Sequence, residues 1–205
     1  MFERYYTLLR REVAGYGSLL DVGCGFHSPV RRFRDAVPVR VGIDGFRPAI
    51  EASRAAGIHT DYVEADVRSL RQHFPPRSFD VVLASDLIEH LTKEDGLALL
   101  AAMEQIARHK VIVFTPNGFV PQTAYQSNEL QEHLSGWEPG EMRLLGYRVV
   151  GVNGWKPIFG ERAQIRWRPK WVGRLAAALS RPIIYRRPEL AFQILCVKTV
   201  GPADL

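Results

Sequence analysis

The stretch LLDVGCGFHSPV, residues 19–30, runs from an apolar segment into an acid, two glycines separated by one residue, and then a proline. Glycine has no Cβ and tolerates left-handed backbone, so Gly23 and Gly25 mark a tight turn at which the main chain passes close to a ligand. The apolar residues ahead of the turn read as a buried strand, with Asp21 near its carboxyl end. That edge is where doubly wound sheets bind their ligands.

Working outward from the turn, short apolar runs alternate with helical patterns, which points to an α/β protein with a mostly parallel sheet. Strands are expected at 18–22, 39–44, 59–64, 79–85 and 111–115. A leading helix is expected over 2–14, where Phe2, Tyr5, Tyr6, Leu9 and Val13 recur near helical spacing. Pro48 suits the first turn of a helix ending at Gly57, and the Ala- and Leu-rich stretch 93–109 reads as another. After Gly146, YRVVGV (147–152) and ELAFQILCVKTV (189–200) read as two late strands. They flank a Pro-, Arg- and Trp-rich insertion holding a short apolar helix, VGRLAAALS (172–180). Because they follow a complete five-strand series, these strands are expected to finish its sheet.

Composition bounds the class. The 205 residues are 46% hydrophobic and 24% charged, enough for one domain to bury a sizeable core without staples. Cys24 and Cys196 stand far apart in no metal-ligand spacing, so they read as reduced thiols of a cytoplasmic protein, with neither a disulfide framework nor a zinc module. No uninterrupted apolar stretch is long enough for a signal peptide or a membrane span. The net charge of +5 is unevenly spread: from Arg162 to Arg187 there are eight basic residues and no acid, with Trp167 and Trp171 inside the run. Such a stretch serves either as a solvated face with inward tryptophans or as a grip on nucleic acid or an anionic surface.

Asp44 ends the second expected strand about twenty residues after the turn, where a carboxylate can accept from both hydroxyls of a ribose. A nicotinamide dinucleotide favours G-x-G-x-x-G, with a pyrophosphate at the helix N-terminus. Here the third position is Ser28, and Asp21 lies two residues before the first glycine. Negative charge at that point suits a cationic amino-acid moiety better than a pyrophosphate.

Residues 19–120 resemble the class I S-adenosylmethionine-dependent methyltransferases. LLDVGCG resembles that family's first motif, VGID its ribose-binding acid, EADV its adenine-side acid, FDVVLASDLIEHL its fourth strand and VIVFTPNG its fifth. His27 stands where many members have glycine. The resemblance implies a Rossmann-like, doubly wound, mostly parallel seven-stranded sheet with a late antiparallel strand and helices on both faces. It implies a single methyltransferase domain over 1–205, made of a leading helix (1–17), a cofactor-binding core (18–116), an acceptor-side loop and helix (117–145), and late strands with the basic insertion (146–205). S-adenosyl-L-methionine is the implied cofactor. By the same resemblance the backbone of Gly23, Cys24 and Gly25 approaches its methionine part, and Asp21 favours its ammonium directly or through water. Asp44 takes the ribose hydroxyls, Asp66 the adenine amino group, the Val67 backbone the adenine ring, and Ser85 lines the floor.

Because a sulfonium is already an activated electrophile, positioning supplies much of the rate and a base is needed only for a poor nucleophile. In SDLIEHLTKEDG, a helical turn after Ser85 would put Asp86, Glu89 and His90 on one face and Leu87, Ile88 and Leu91 toward the core. His90, with Glu89, is the candidate catalytic pair. The alternatives are that both residues brace the turn, or that Asp86, Glu89, His90 and His133 hold a divalent metal. The metal alternative rests on a resemblance of acid-x-x-Glu-His to small-RNA 2′-O-methyltransferases and some quinone O-methyltransferases, and no metal is assigned. The segment 116–140, with Phe119, Tyr125, His133 and Trp137, is expected to form the acceptor pocket, its aromatics and amides suiting a small organic molecule. The expected reaction is methyl transfer to an oxygen or nitrogen of a small-molecule acceptor. RNA methylation through the basic stretch, and a noncatalytic cofactor-binding module, are the alternatives.

Overall fold

The computed structural model describes residues 3–122, 131–160 and 164–201. Its seven strands are β1 (Ser18–Val22), β2 (Val39–Asp44), β3 (Asp61–Glu64), β4 (Phe79–Ser85), β5 (Ala107–Pro116), β6 (Arg148–Trp155) and β7 (Ala191–Thr199). They form one sheet in the order β3-β2-β1-β4-β5-β7-β6. The first five are mutually parallel, and β7 runs antiparallel to both β5 and β6. This is the mostly parallel, Rossmann-like sheet expected, with its single reversed strand late in the chain.

Both faces of the sheet are covered, so the central strands carry near-continuous apolar runs. Successive strand residues point to opposite faces. Leu20, Val22, Val82, Ala84, Val111 and Val113 therefore pack with Leu99, Leu100, Met103 and Ile106 of helix α4 (Lys93–Ile106). On the other face, Leu19, Val81, Leu83, Ile112 and Phe114 meet Tyr5, Leu9 and Val13 of helix α1 (Glu3–Val13). Phe2 of the expected leading helix lies outside the described residues. Thr92 caps α4, its Oγ1 accepting from the Asp95 amide at 3.1 Å, and Glu94 and Asp95 occupy the electropositive first turn.

Several boundaries differ from expectation, including the end of the Pro48 helix at Ala55 rather than Gly57 and the late strands at Arg148–Trp155 and Ala191–Thr199. Helix α4 stops at Ile106 rather than His109, because Ala107 already pairs with Phe79 and the β-branched run behind it pulls 107–110 into a ten-residue β5. Strand β3 begins at Asp61 rather than His59: the His59 ring turns into the core, and Thr60 closes the turn by donating to the Arg40 carbonyl. The short helix expected at 172–180 extends in both directions as α6 (Lys170–Arg186). Helix α2 (Arg47–Ala55) has Pro48 in its first turn as expected. The remaining helices are short, α3 (Leu70–His73) and α5 (Pro139–Leu144).

Candidate active site

The register of the parallel strands sets Asp21 opposite Gly42, Asp44 opposite Glu64, and Val22 opposite Ala84. The acids named from the sequence therefore reach the same edge of the sheet. There they border a cavity of about 950 Å³. Asp21, Gly23, Cys24, Gly25, Asp44, Asp66, Val67, Ser85 and His90 all line it. Glu89 does not.

The glycine turn is built as the sequence implied. Gly23 and Gly25 take left-handed φ values of 68° and 54°. The Gly23 and Cys24 amides both donate to the Ile43 carbonyl, at 2.8 and 3.1 Å, folding the turn over the end of β2. The left-handed backbone of Gly23 calls for glycine, and a Cβ there would also displace the end of the Leu87 side chain, whose Cδ1 lies 2.6 Å away. Cys24 is buried beside Gly42, and burial pushes its thiol pKa up.

The three acids differ in their commitments. Asp44 accepts from the Phe46 amide through Oδ1 and from the Gly25 amide through Oδ2, both at 2.8 Å. Burial nevertheless holds its carboxyl above the usual carboxylate range, with the charge of Asp21 adding to the effect. A carboxylate so placed can accept from further donors on the cavity side. Asp21 is only 1% exposed; its Oδ2 accepts from Ser28 Oγ at 2.5 Å and pairs with His59 Nε2 at 2.9 Å. Asp66 is gripped by the Arg68 guanidinium, which holds its carboxyl below the usual range. His59, Ser28 and Arg68 carried no sequence signal for these roles: each is a common residue in a loop, given a partner only by the fold.

Beyond β4 the chain departs from the expected helical turn. Asp86 adopts a left-handed φ of 50°, and the turn that follows is a tight 3₁₀ one over Ile88–His90. Asp86, Glu89 and His90 are therefore not placed by helical spacing, yet all three border one small cavity. Leu87 and Leu91, expected toward the core, pack against it partly buried and also line the large cavity. Glu89 turns inward and accepts from Thr115 Oγ1 at 2.9 Å. It lines a second, smaller cavity of about 240 Å³, bordered also by Asp86, His90, Pro116, Gln131 and His133. Burial raises the carboxyl pKa of Glu89, and the neighbouring Asp86 raises it further. Asp86 is ringed by protein yet opens onto both cavities, and Gln193 Nε2 donates to its Oδ1 at 3.2 Å. Ser85 pairs with the hydroxyl of Tyr5 at 2.7 Å, and the Tyr5 ring stacks on Phe114. Helix α1 thus braces the floor of the large cavity, a contact the sequence did not announce.

Of the acceptor side chains singled out in the sequence, His133 alone among those described lines the smaller cavity. Trp137 is fully buried, wedged against Gly96, with its indole N–H donating to the Ile88 carbonyl at 3.2 Å. The backbone amides of Leu134 and Ser135 donate to the Glu89 carbonyl and so anchor the 3₁₀ turn, while Pro116, Val120, Gln122, Gln131 and His133 of the same expected segment line the small cavity. Phe119 faces solvent and lines neither cavity. Tyr125 lies outside the described residues.

His90 and His133 stand with ring centroids 4.8 Å apart. Each imidazole Nδ1 meets a backbone carbonyl, Glu132 at 3.0 Å and Val120 at 2.6 Å. Each ring therefore donates from Nδ1 and keeps its Nε2 lone pair. Burial lowers the pKa of His90 to about 4 and lowers that of His133 as well, so both are neutral near pH 7. One ligand atom each from Glu89, His90 and His133 falls within 4.8 Å of the others.

Glycine-turned strand tips, acids at consecutive strand ends and a reversed seventh strand together define a class of Rossmann-like enzymes that hold an adenosyl cofactor at the sheet edge. Residues 20–115 match the family model described as a methyltransferase domain, a match that supports a class I S-adenosylmethionine-dependent methyltransferase fold and family. Its cofactor is S-adenosylmethionine. No curated protein sequence matches the chain. Among solved structures, a SAM-dependent methyltransferase from Archaeoglobus fulgidus is similar at 17% identity and a TM-score of 0.60, covering 97% of this chain and 94% of that one. An S-adenosylmethionine-dependent methyltransferase from Mesorhizobium loti is similar at 18% identity and a TM-score of 0.62, covering 97% of each chain. Magnesium protoporphyrin IX methyltransferase from Synechocystis PCC 6803, solved with bound SAM, is similar at 15% identity and a TM-score of 0.55, covering 98% of this chain and 77% of that one. At such identities the likeness speaks for the fold.

Proposed function

We propose that this enzyme methylates an oxygen or nitrogen of a small organic acceptor, with the cofactor in the large cavity and the acceptor in the small one. One observation carries the reading: the two cavities share Asp86, His90 and Gln131, so ligands in each would meet beside the same imidazole. When bound, the cofactor supplies a methyl group on a sulfonium, already activated for in-line transfer. In this reading Asp44 receives the ribose hydroxyls, while Asp66 and the Val67 backbone receive the adenine. The turn at Gly23, Cys24 and Gly25 accommodates the methionine part. Asp21 favours the ammonium from beneath, with Ser28 and His59 holding it still. Ser85, braced by Tyr5, forms the floor.

His90 takes the acceptor's proton at Nε2, and Glu89 contributes a hydrogen-bonding carboxyl on the acceptor side. A base with a pKa near 4 is weak, but an oxygen or nitrogen becomes far more acidic as it gains a methyl group. A neutral, well-placed imidazole then suffices. We place the reaction in the cytoplasm, which keeps Cys24 and Cys196 as the buried free thiols seen here. Domain limits follow the same reading, with one methyltransferase unit over 1–205.

The grouping of Glu89, His90 and His133 favours a second reading, in which these side chains hold a divalent cation. Two neutral imidazoles locked through Nδ1 onto backbone carbonyls, beside a buried carboxylate, fit such an ion. The ion would polarise an acceptor hydroxyl. Calorimetry with S-adenosylmethionine, S-adenosylhomocysteine and NAD, followed by a screen of metabolite fractions with methyl-labelled cofactor, tests the main reading. Tight binding of the two sulfur compounds and label in a small-molecule fraction are expected. Preference for NAD, or label entering RNA alone, would overturn it.

A further inference from the structure

Helix α6 is turned inside out for a surface helix. Its buried positions are Gly173, Ala177 and Ile184, whereas its large apolar residues face away from the protein. Trp171, Leu175, Leu179 and Ile183 recur every four residues and are 65%, 52%, 69% and 58% exposed. Four-residue spacing gathers them into one continuous stripe along the outer face. The close inner packing explains the small residues: a Cβ on Gly151 of β6 would lie 2.2 Å from the Ile184 carbonyl oxygen. It does not explain the stripe.

Charge flanks the stripe. No acid occurs between Arg162 and Pro188, and Arg166, Arg168, Lys170, Arg174 and Arg186 enter no ion pair among the described residues. Arg162 itself lies outside the described residues. Beside the helix, Trp155 and Trp167 meet edge to face at 6.3 Å, and the Trp155 amide donates to Ser180 Oγ. Both indoles remain more than a third exposed.

We propose that α6 docks the enzyme onto an anionic lipid bilayer, its Trp–Leu–Leu–Ile stripe entering the headgroup–acyl boundary and its basic flank meeting acidic headgroups. Aliphatic burial with cationic flanks and partly exposed tryptophans is the chemistry of an interfacial helix. No described helix is long and apolar enough to cross a membrane, so α6 lies on the surface. Nucleic acid fits less well, because exposed leucine and isoleucine offer bases neither stacking nor hydrogen bonds. A second copy of the chain fits less well too, since pairing the stripe with itself would bring like charges together. The docked face lies one aromatic layer from the small cavity: Ala177 packs with Phe159 and Phe192, and Phe192 lines that cavity.

Flotation of the full-length protein with phosphatidylcholine vesicles, with and without phosphatidylglycerol, tests the assignment. Partitioning is expected to be about tenfold stronger on the anionic vesicles and to fall at least about tenfold in the Leu175→Glu/Leu179→Glu variant. Arg174→Glu should selectively lower the anionic component. Unchanged far-UV circular dichroism and cofactor binding would show that these surface variants fold. Independently, brominated acyl chains should quench wild-type tryptophan fluorescence, and much less so in Trp171→Phe. The proposal is overturned by absence of vesicle binding, by equal flotation of the stripe variant, or by wild-type fluorescence that brominated lipid leaves unquenched. It is equally overturned if the stripe substitutions abolish RNA binding or dissolve a dimer while vesicles are ignored.

Discussion

Nε2 of His59 lies 2.9 Å from Oδ2 of Asp21, and both side chains are closed to solvent. With Ser28 Oγ on the same oxygen, the carboxylate beneath the glycine turn is held by two side chains from separate segments of the chain. His59→Ala removes a hydrogen bond to a buried acid, worth about 1.5–3 kcal/mol. The unfolding free energy should fall by that amount, seen as a lower denaturation midpoint at constant m-value, and cofactor affinity should fall with it. A variant that melts like wild type would show that the pair does not hold Asp21.

Asp44 offers a pH test. Its folded-state pKa is raised by burial, so ionising it costs the free protein stability as the pH rises through that value. Ribose donors favour the ionised form and reverse the effect. Cofactor affinity should therefore climb with pH across the mildly acidic range and level off above it. Asp44→Asn is expected to weaken binding by about 1.5–3 kcal/mol, roughly ten- to 150-fold in Kd, and to flatten that climb. Calorimetry across the range checks both.

The cofactor edge was legible because its devices are local: a glycine turn after an apolar strand, then an acid at each following strand tip. The acceptor edge was legible only in part: Pro116, Gln131 and His133 of the expected segment border the small cavity, but Phe119 and Trp137 do not. Trp137 looked like a pocket aromatic and is a core residue, since the space beside Gly96 that it fills exists only once 135–137 folds back onto the 3₁₀ turn. Glu89 and His90 both border the small cavity, but only His90 also reaches the large one, because the left-handed backbone at Asp86 breaks the helical phase and turns Glu89 inward. Tyr5 and His59 reach their sites across 80 and 38 residues of chain, separations that periodicity does not report.

Gly23→Ala separates backbone strain from crowding. The native φ of 68° costs an L-residue about 1–2 kcal/mol, and the added methyl meets Leu87 Cδ1 at 2.6 Å. The single variant should lose more than the backbone cost. Adding Leu87→Ala should relieve only the contact, leaving a residual penalty in the double-mutant cycle. A cycle with no residual would mean that the turn relaxes freely.

Glu12 ties α1 to the far half of the sheet, accepting from Lys110 at 3.0 Å and from Arg148 at 2.6 Å. Burial alone would raise its carboxyl pKa, but the two cations outweigh that and lower it. A depressed folded-state pKa contributes stability above the ordinary value that is lost as the pH falls through the folded one. Glu12→Gln should thus cost about 1–2 kcal/mol at neutral pH, discounted for the partly exposed cations. The gap from wild type should close in acid, as read by urea melts at a series of pH values.

His90 and His133 decide between the base and the cation. Their Nε2 lone pairs are both kept by Nδ1 contacts to backbone carbonyls, so removing either ring leaves the other in place. If His90 acts as the base, His90→Ala should lower kcat by about 100- to 10,000-fold with cofactor affinity nearly unchanged. His133→Ala should then cost far less, and excess chelator should change nothing. If the group holds a cation, the two variants should be comparably impaired, and chelation should reproduce their loss until metal is restored. Full turnover in both variants would remove this cluster from the chemistry and move the search for the proton acceptor to Asp86, the remaining titratable side chain that opens onto both cavities.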